Sequence, residues 1–286
     1  MAVGLQPTIS GRLIDGGKAT LYMIEVKPKK ELGQHWLHDQ TVLDSICDAA
    51  AISANDYIVE IGPGLGTLTQ TLLDHGVRVH AIEFDHALAV GLRDRIKTNH
   101  ENLQISEADI MRFDFSKLPK NYKIVANIPY YLTSGLLRIL SETENPPDIA
   151  VLLVQKEVAE RVCAKPGQTS LLSISTQMYF NTFLGIVVPA ALFTPPPKVD
   201  SRVLILHRRE VPFFGEEDEK KIFKVIKAGF SERRKKLRSS LSGGLGISKE
   251  AADNLLHLAA VDGDLRAQNL TLENWVQLAK AFESSK

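Results

Sequence analysis

Tyr57-Ile58-Val59-Glu60-Ile61-Gly62-Pro63-Gly64-Leu65-Gly66, followed by apolar residues at helical spacing from Thr67 to His75, reads as strand, glycine turn and helix. Glycines suit the middle of that unit because the loop has to turn tightly and let a ligand approach bare backbone. The helix behind it then offers unpaired amide donors. Arg78 to Ile82 reads as a second strand that ends at Glu83. This acid stands about 20 residues beyond the loop, the distance at which nucleotide-binding α/β folds place a carboxylate on ribose hydroxyls. The pair fits a dinucleotide or an S-adenosyl donor, and a glycine-rich turn without ligand is the plainer alternative. Two details point away from NAD: the spacing is GxGxG, with Thr67 where a dinucleotide fingerprint has its third glycine, and no basic residue for a pyrophosphate follows at once.

Working outward, Leu103 to Ala108 is a third strand ending at Asp109, and Lys123 to Asn127 is a fourth, with helical patterns over His86 to Lys97 and Ser134 to Ser141. Strands alternating with helices imply a parallel, doubly wound α/β sheet. Glu83, Asp109 and Asn127 then share the carboxyl edge, where such sheets hold ligands. Asn127-Ile128-Pro129-Tyr130 has the makings of a clamp for a flat, amine-bearing ring. Asn offers an acceptor and a donor, Pro129 stiffens the loop, and Tyr130 supplies a ring that can stack. The same string is also ordinary turn chemistry.

The chain of 286 residues is long enough for one large domain or a large one plus a small one, and 34 basic residues balance 34 acidic ones. A zero total says little about nucleic acid, because binding depends on where the positive charge lies. Cys47 and Cys163 lack CxxC spacing, which argues against a disulfide framework and for a reducing, cytoplasmic setting. No apolar run approaches a membrane span, and residues 1–27, with several glycines and few charges, read as a loosely ordered or peripheral extension. His35 and His38 stand at i, i+3, a spacing that could suggest a metal, but no further ligands cluster near them and no metal is expected.

Phe193-Thr194-Pro195-Pro196-Pro197-Lys198-Val199-Asp200-Ser201 is a rigid connector into a last strand, Val203 to Leu206. From Lys220 to Arg238 there are nine basic residues against one acid, Glu232, while Phe223, Ile226, Phe230, Leu237 and Leu241 recur near helical spacing. This reads as a helix with one packed and one positive face. Such a stripe is either a solvated surface or a partner for phosphates, which position RNA without reading its sequence.

Several ordered stretches together resemble one family. They are Gly33-Gln34-His35-Trp36-Leu37, Val59 to Gly66, Ile82-Glu83, Ala108-Asp109, Asn127 to Tyr130, Val154-Gln155-Lys156-Glu157 with Glu160-Arg161, Phe193 to Ser201 and Phe230 to Leu241. From Gly33 onward the chain resembles the KsgA-type rRNA adenine N6,N6-dimethyltransferases, S-adenosyl-L-methionine (SAM) enzymes related to the Erm antibiotic-resistance methyltransferases. The resemblance implies a Rossmann-like SAM-dependent methyltransferase domain at 28–208 and a small C-terminal helical, RNA-binding domain at 209–286, after the extension at 1–27. It implies that Gly62, Gly64 and Gly66 hold the methionine part of SAM, that Glu83 binds its ribose and Asp109 faces its adenine, with His35, Leu37 and Asn127 as further cofactor contacts. Asn127, Ile128, Pro129 and Tyr130 would form the catalytic clamp, and Arg233, Arg234, Lys235, Lys236 and Arg238 would contact RNA.

Two positions depart from the pattern: the family has Gly-Gln-Asn-Phe-Leu where this chain has His35 and Trp36, of which Trp36 keeps an aromatic and His35 replaces a carboxamide by an imidazole. His35 can still donate a hydrogen bond to the carboxylate end of SAM. The implied reaction is N6,N6-dimethylation of two adjacent adenines in the 3′-terminal hairpin of small-subunit (16S) rRNA during ribosome assembly, with S-adenosylhomocysteine as product and a cytoplasmic monomer as the enzyme. An Erm-like enzyme acting on a large-subunit adenine and a non-catalytic RNA-binding assembly factor on the same fold are the alternatives.

Overall fold

A computed structural model describes residues 8–15, 18–25 and 27–284. The N-terminal extension is therefore described in part. Thr8–Asp15 pairs antiparallel with Lys18–Glu25, so of the two readings, loosely ordered or peripheral, the described part departs from the first. The signal of this pairing in the sequence is Gly16-Gly17 between two runs rich in apolar and β-branched residues. The rest of 1–26 lies outside the described residues.

The central sheet is built from β1 (Tyr57–Ile61), β2 (Arg78–Glu83), β3 (Leu103–Glu107), β4 (Lys123–Asn127), β5 (Ile149–Gln155), β6 (Phe180–Val188) and β7 (Ser201–Arg208). Their spatial order is β3-β2-β1-β4-β5-β7-β6. The pairs β1/β2, β2/β3, β1/β4 and β4/β5 are parallel, as the alternation of strands and helices predicts. The strands read as nearly unbroken apolar runs because helices cover both faces of a parallel sheet. Ile58, Val79, Ala81, Val125, Val151 and Leu153 from the strands join Leu72, Leu73 and Leu92 from the helices Thr67–Asp74 and His86–Arg95 in one buried cluster. Each Val, Leu or Ile among them contributes about 1.5–3 kcal/mol when fully buried.

The order of strands decides where a ligand can sit. The chain leaves β1 toward β2 and β3, then returns to place β4 on the other side of β1. At that reversal the loops after β1 and β4 diverge and leave a crevice beyond the carboxyl ends of the strands. The register brings the loop ends level: Ile61 stands opposite Ile82 and Glu83 opposite Glu107, while the Gly62 amide donates to the Ile82 carbonyl and the Ala108 amide to that of Glu83.

The packing divides the chain into two compact units. One runs to Lys156 and takes in Leu184–Leu206, and the other comprises Glu157–Phe183 and His207 onward. The second unit is thus made from two stretches rather than from a single segment beginning at 209. Ile174 and Met178 sit in the same buried cluster as Ile222, Val225, Leu241, Leu255 and Trp275, so the helix Leu171–Gln177 packs with Glu219–Phe230 and Leu272–Ser284. The basic run is not one helix. Glu219–Phe230 stops where the Ser231 hydroxyl and amide both donate to the Ala228 carbonyl, and the next helix, Leu237–Leu245, starts after an exposed turn.

Candidate active site

Beyond the ends of β1, β2 and β4 lies a cavity of about 300 Å³ in the first unit, within the range of small-molecule sites. His35, Leu37, Gly62, Gly64, Glu83, Asp109, Asn127, Ile128, Pro129 and Tyr130 all line it. Residues spread over 96 positions of chain thus meet because each stands at, or packs against, the end of a parallel strand. Gly66 does not line the cavity. Its φ is +88°, and a Cβ there would lie 2.9 Å from the Leu92 side chain, so this glycine lets the helices Thr67–Asp74 and His86–Arg95 approach. The basic residues between Arg233 and Arg238 belong to the other unit.

The glycine loop is braced from within. Gly62 and Gly64 both have positive φ. The Gly64 amide donates to one oxygen of Glu83 at 3.1 Å, and the Asp85 amide donates to the other at 2.9 Å. Burial pushes the Glu83 carboxyl above the usual range, against the pull of these amides. Arg95 closes the far side by donating to the carbonyls of Gly64, Leu65 and Leu88. Asp109, at the next strand end, accepts from the Met111 amide at 2.9 Å through one oxygen, and its second oxygen lies 3.9 Å from Arg112.

The clamp is held by long-range side-chain bonds. Asn127 Nδ2 donates to the His35 carbonyl at 3.0 Å, which fixes the amide and leaves Oδ1 as an acceptor. The Tyr130 hydroxyl bonds Ser201 Oγ at 2.8 Å, and Thr133 Oγ1 donates to the Tyr130 carbonyl. Burial pushes the Tyr130 phenol above its ordinary value, so it stays a neutral hydroxyl. The His35 ring stacks against Tyr130 with centroids 6.0 Å apart. Its Nδ1 lies 2.6 Å from the Pro195 carbonyl and must be the donor, since a carbonyl only accepts. The ring nitrogen that a cofactor carboxylate could have used is thereby engaged, and Nε2 is the one left.

Sequence reasoning assigned no role to several residues here. Glu60 is fully buried in the cavity wall, one of its oxygens has no hydrogen-bond partner, and burial pushes its carboxyl up to about 8. Its signal was an acid inside an otherwise apolar strand. Trp36 is buried with Nε1 unpaired, and its ring edge would stand 3.2 Å from a Cβ on Gly64. Phe84 and Tyr131 line the cavity yet are 61% and 63% exposed. Large aromatic rings left in water at a cavity mouth are a surface signal that periodicity cannot carry.

A family model described as ribosomal RNA adenine dimethylase matches residues 25–284. The chain belongs to that family. A ribosomal RNA small subunit methyltransferase A from Dehalococcoides mccartyi is 38% identical over 260 residues, covering 90% of this chain and 89% of the relative. Another of that name from Streptococcus pneumoniae is 38% identical over 267 residues, covering 89% and 92%. Among solved structures, a dimethyladenosine transferase from Plasmodium falciparum superposes with a TM-score of 0.74 at 27% identity, covering 88% of this chain and 98% of that one. The 23S rRNA methyltransferase ErmE superposes at 0.71 and 26%, covering 87% and 99%.

As a member of the dimethylase family the protein is a SAM-dependent methyltransferase acting on rRNA. The cavity suits that cofactor. SAM carries a sulfonium and an ammonium, and the wall holds the Glu60 oxygen that lacks a partner and the Glu83 carboxylate. Gly62 and Gly64 put no side chain between the loop and its amino-acid end, while their amides are already donated to the Ile82 carbonyl and to Glu83. When bound, SAM supplies an electrophilic methyl group. Among the basic residues, Arg233, Arg234 and Lys235 lie in the exposed turn and make no ion pair among the described residues. Lys236 pairs with Asp264 at 3.0 Å, and Arg238 with Asp253 and Asp264 at 3.4 and 3.3 Å. No helix among the described residues is long and apolar enough to cross a membrane.

Proposed function

We propose that this protein transfers methyl groups to N6 of two adjacent adenines in the 3′-terminal hairpin of small-subunit rRNA, two to each, during ribosome assembly. The observation that carries the reading is the fixed Asn127 amide: its nitrogen is tied to the His35 carbonyl, which leaves its oxygen as an acceptor in a cavity that Tyr130 also lines. The names of the relatives from Dehalococcoides and Streptococcus supply the subunit. An adenine amine shares its lone pair with the ring. Asn127 Oδ1 and the Ile128 carbonyl accept its two hydrogens and favour a more tetrahedral nitrogen, while Tyr130 stacks on the base and aims it. The lone pair is then available for attack. Alkylation makes the remaining proton acidic, so water suffices to take it and no strong base is needed at the clamp. Reaching the pocket requires the adenine to leave its stack, at a cost of a few kcal/mol that is smaller in a loop.

Glu83 is assigned to the ribose of the cofactor, Asp109 to its adenine, and Gly62, Gly64, His35 and Leu37 to its methionine end. Arg233, Arg234 and Lys235 are assigned to phosphate contacts, with Lys236 and Arg238 sharing their charge with acids. The enzyme works as a monomer in the cytoplasm. The test offers isotopically labelled SAM to assembling small subunits and, separately, to naked large-subunit RNA, and maps the modified nucleotides by mass spectrometry. Dimethyladenosine at two neighbouring positions of the small-subunit RNA is expected; label on the large-subunit RNA alone would replace this reading with an Erm-like one.

A further inference from the structure

We infer that Tyr131, together with the lysine-bearing turn beside it, forms a subsite for the nucleotide next to the target adenine. The ring of Tyr131 would stack on that neighbouring base and Lys30 would meet its phosphate. Tyr131 is a cavity-lining residue that leaves 63% of its surface in water, so its ring is free to be covered by whatever enters the mouth.

Its backbone is fixed. Tyr130 and Tyr131 lie in a short helical turn, Tyr130–Leu132, closed by the Leu132 amide on the Pro129 carbonyl and followed at once by the helix Thr133–Glu142. Tyr130 cannot swing out to do the same work, because Ser201 holds its hydroxyl. One tyrosine is thus turned inward and anchored, and the next is presented outward at the same mouth.

The ring of Tyr131 also lies against Gly33, whose Cβ position would be 3.6 Å from Cδ1. Gly33 ends the turn Lys30–Leu32 by donating its amide to the Lys30 carbonyl. Lys30 is exposed and has no ion pair among the described residues, whereas Lys29 is tied to Asp85 at 2.8 Å. An exposed aromatic ring packed on the end of a turn that carries an unpaired cation has the two parts that single-stranded RNA uses: the ring accepts any base by its face, and the cation takes the phosphate. This subsite rests on the proposed reaction, since a flipped adenine in the clamp leaves its neighbour at the mouth.

The test uses a synthetic RNA hairpin with two adjacent loop adenines, replaced one at a time by the fluorescent analogue 2-aminopurine, with wild type, Tyr131→Ala, Tyr131→Phe and Lys30→Ala. On wild type and Tyr131→Phe the neighbour probe should be quenched by stacking. Tyr131→Ala should lose that quenching, keep the signal of the probe at the target position, and raise KM roughly tenfold, the size of one base–aromatic stack, with a much smaller effect on kcat. Lys30→Ala should raise KM and flatten its dependence on salt. S-adenosylhomocysteine should raise the Tm of every variant as it does that of wild type, which establishes that they fold. Unchanged quenching and KM in Tyr131→Ala would overturn the subsite. If the wild type itself methylates neither adenine, the parent reading fails and the subsite with it. That outcome is distinct because the wild type is then inert, rather than active and matched by its variant.

Discussion

The glycine loop and the clamp loop end neighbouring strands and face the same cavity, yet they are held by different means. The glycine loop is fixed by backbone: amides on Glu83, carbonyls on Arg95, and close helix packing at Gly66. The clamp is fixed by a few side chains reaching far along the chain, 92 residues from Asn127 to His35 and 71 from Tyr130 to Ser201. A loop that offers only its backbone groups tolerates no Cβ atoms and depends on the two side chains, Glu83 and Arg95, that hold those groups. A site built from side chains should fail one bond at a time.

The largest expected effect is at the clamp. Asn127→Ala removes the oriented acceptor, and the loss of one such preorganised partner costs about 10²–10³-fold in kcat. S-adenosylhomocysteine should still raise the Tm of the variant, because the braces of the glycine loop are intact. RNA binding should persist as well. Methylation at the wild-type rate would remove Asn127 from the chemistry and, with it, the contrast between the two loops.

The glycine loop should break through packing. In Gly66→Ala, positive φ and a Cβ 2.9 Å from Leu92 act together, for a loss of about 2–4 kcal/mol seen as a lower Tm. Gly62→Ala is the control. Its φ is also positive, but its Cβ would find its nearest neighbour at 3.9 Å, so only the backbone term of about 1 kcal/mol applies. Equal losses in the two would show that Gly66 owes its place to turn geometry alone.

The contrast also explains what could be read from the chain. β1, β2, β3 and β4 were legible because apolar runs, a glycine loop and acids at fixed distances are local signals. β5 was passed over, since Ile149 to Val154 is an unbroken apolar run that periodicity does not separate from a buried helix. The edge strand Phe180–Val188, with Phe183, Leu184, Ile186 and Val187 exposed, lacks the alternation that marks a half-buried strand. The clamp residues could be named, but not their partners: no spacing rule joins Asn127 to the carbonyl of His35, or Tyr130 to Ser201. The helical unit recruits 157–183 for the same reason, through contacts of Ile174 and Met178 that are distant in sequence.

Glu60 lies between the two loops in kind, a side chain of the strand that carries the glycines. Burial raises its carboxyl from 4.5 to about 8, so the folded protein binds this proton more tightly than the unfolded chain does. Its contribution to stability is complete below about 4.5 and is lost as pH rises through about 8. Melts of the ligand-free protein should therefore show wild type losing Tm over that window relative to Glu60→Gln, whose amide cannot ionise. Parallel Tm curves for the two would mean that Glu60 is already charged and paired in the fold.

The smallest effect tests whether the clamp has redundant supports. Tyr130→Phe keeps the ring and removes the bond to Ser201, a loss of about 1 kcal/mol in stability and a modest rise in KM for RNA, since the base can still stack on a ring that is less well aimed. Ser201→Ala removes the same bond from the other end, and Ser201 is fully buried, so either variant strands a partner. If the hydroxyl pair acts as a unit, the double variant should cost no more than the worse single one. Additive losses would show that each hydroxyl works separately and that Tyr130 is placed by its stacking on His35 and by the turn around Pro129 rather than by the bond to Ser201.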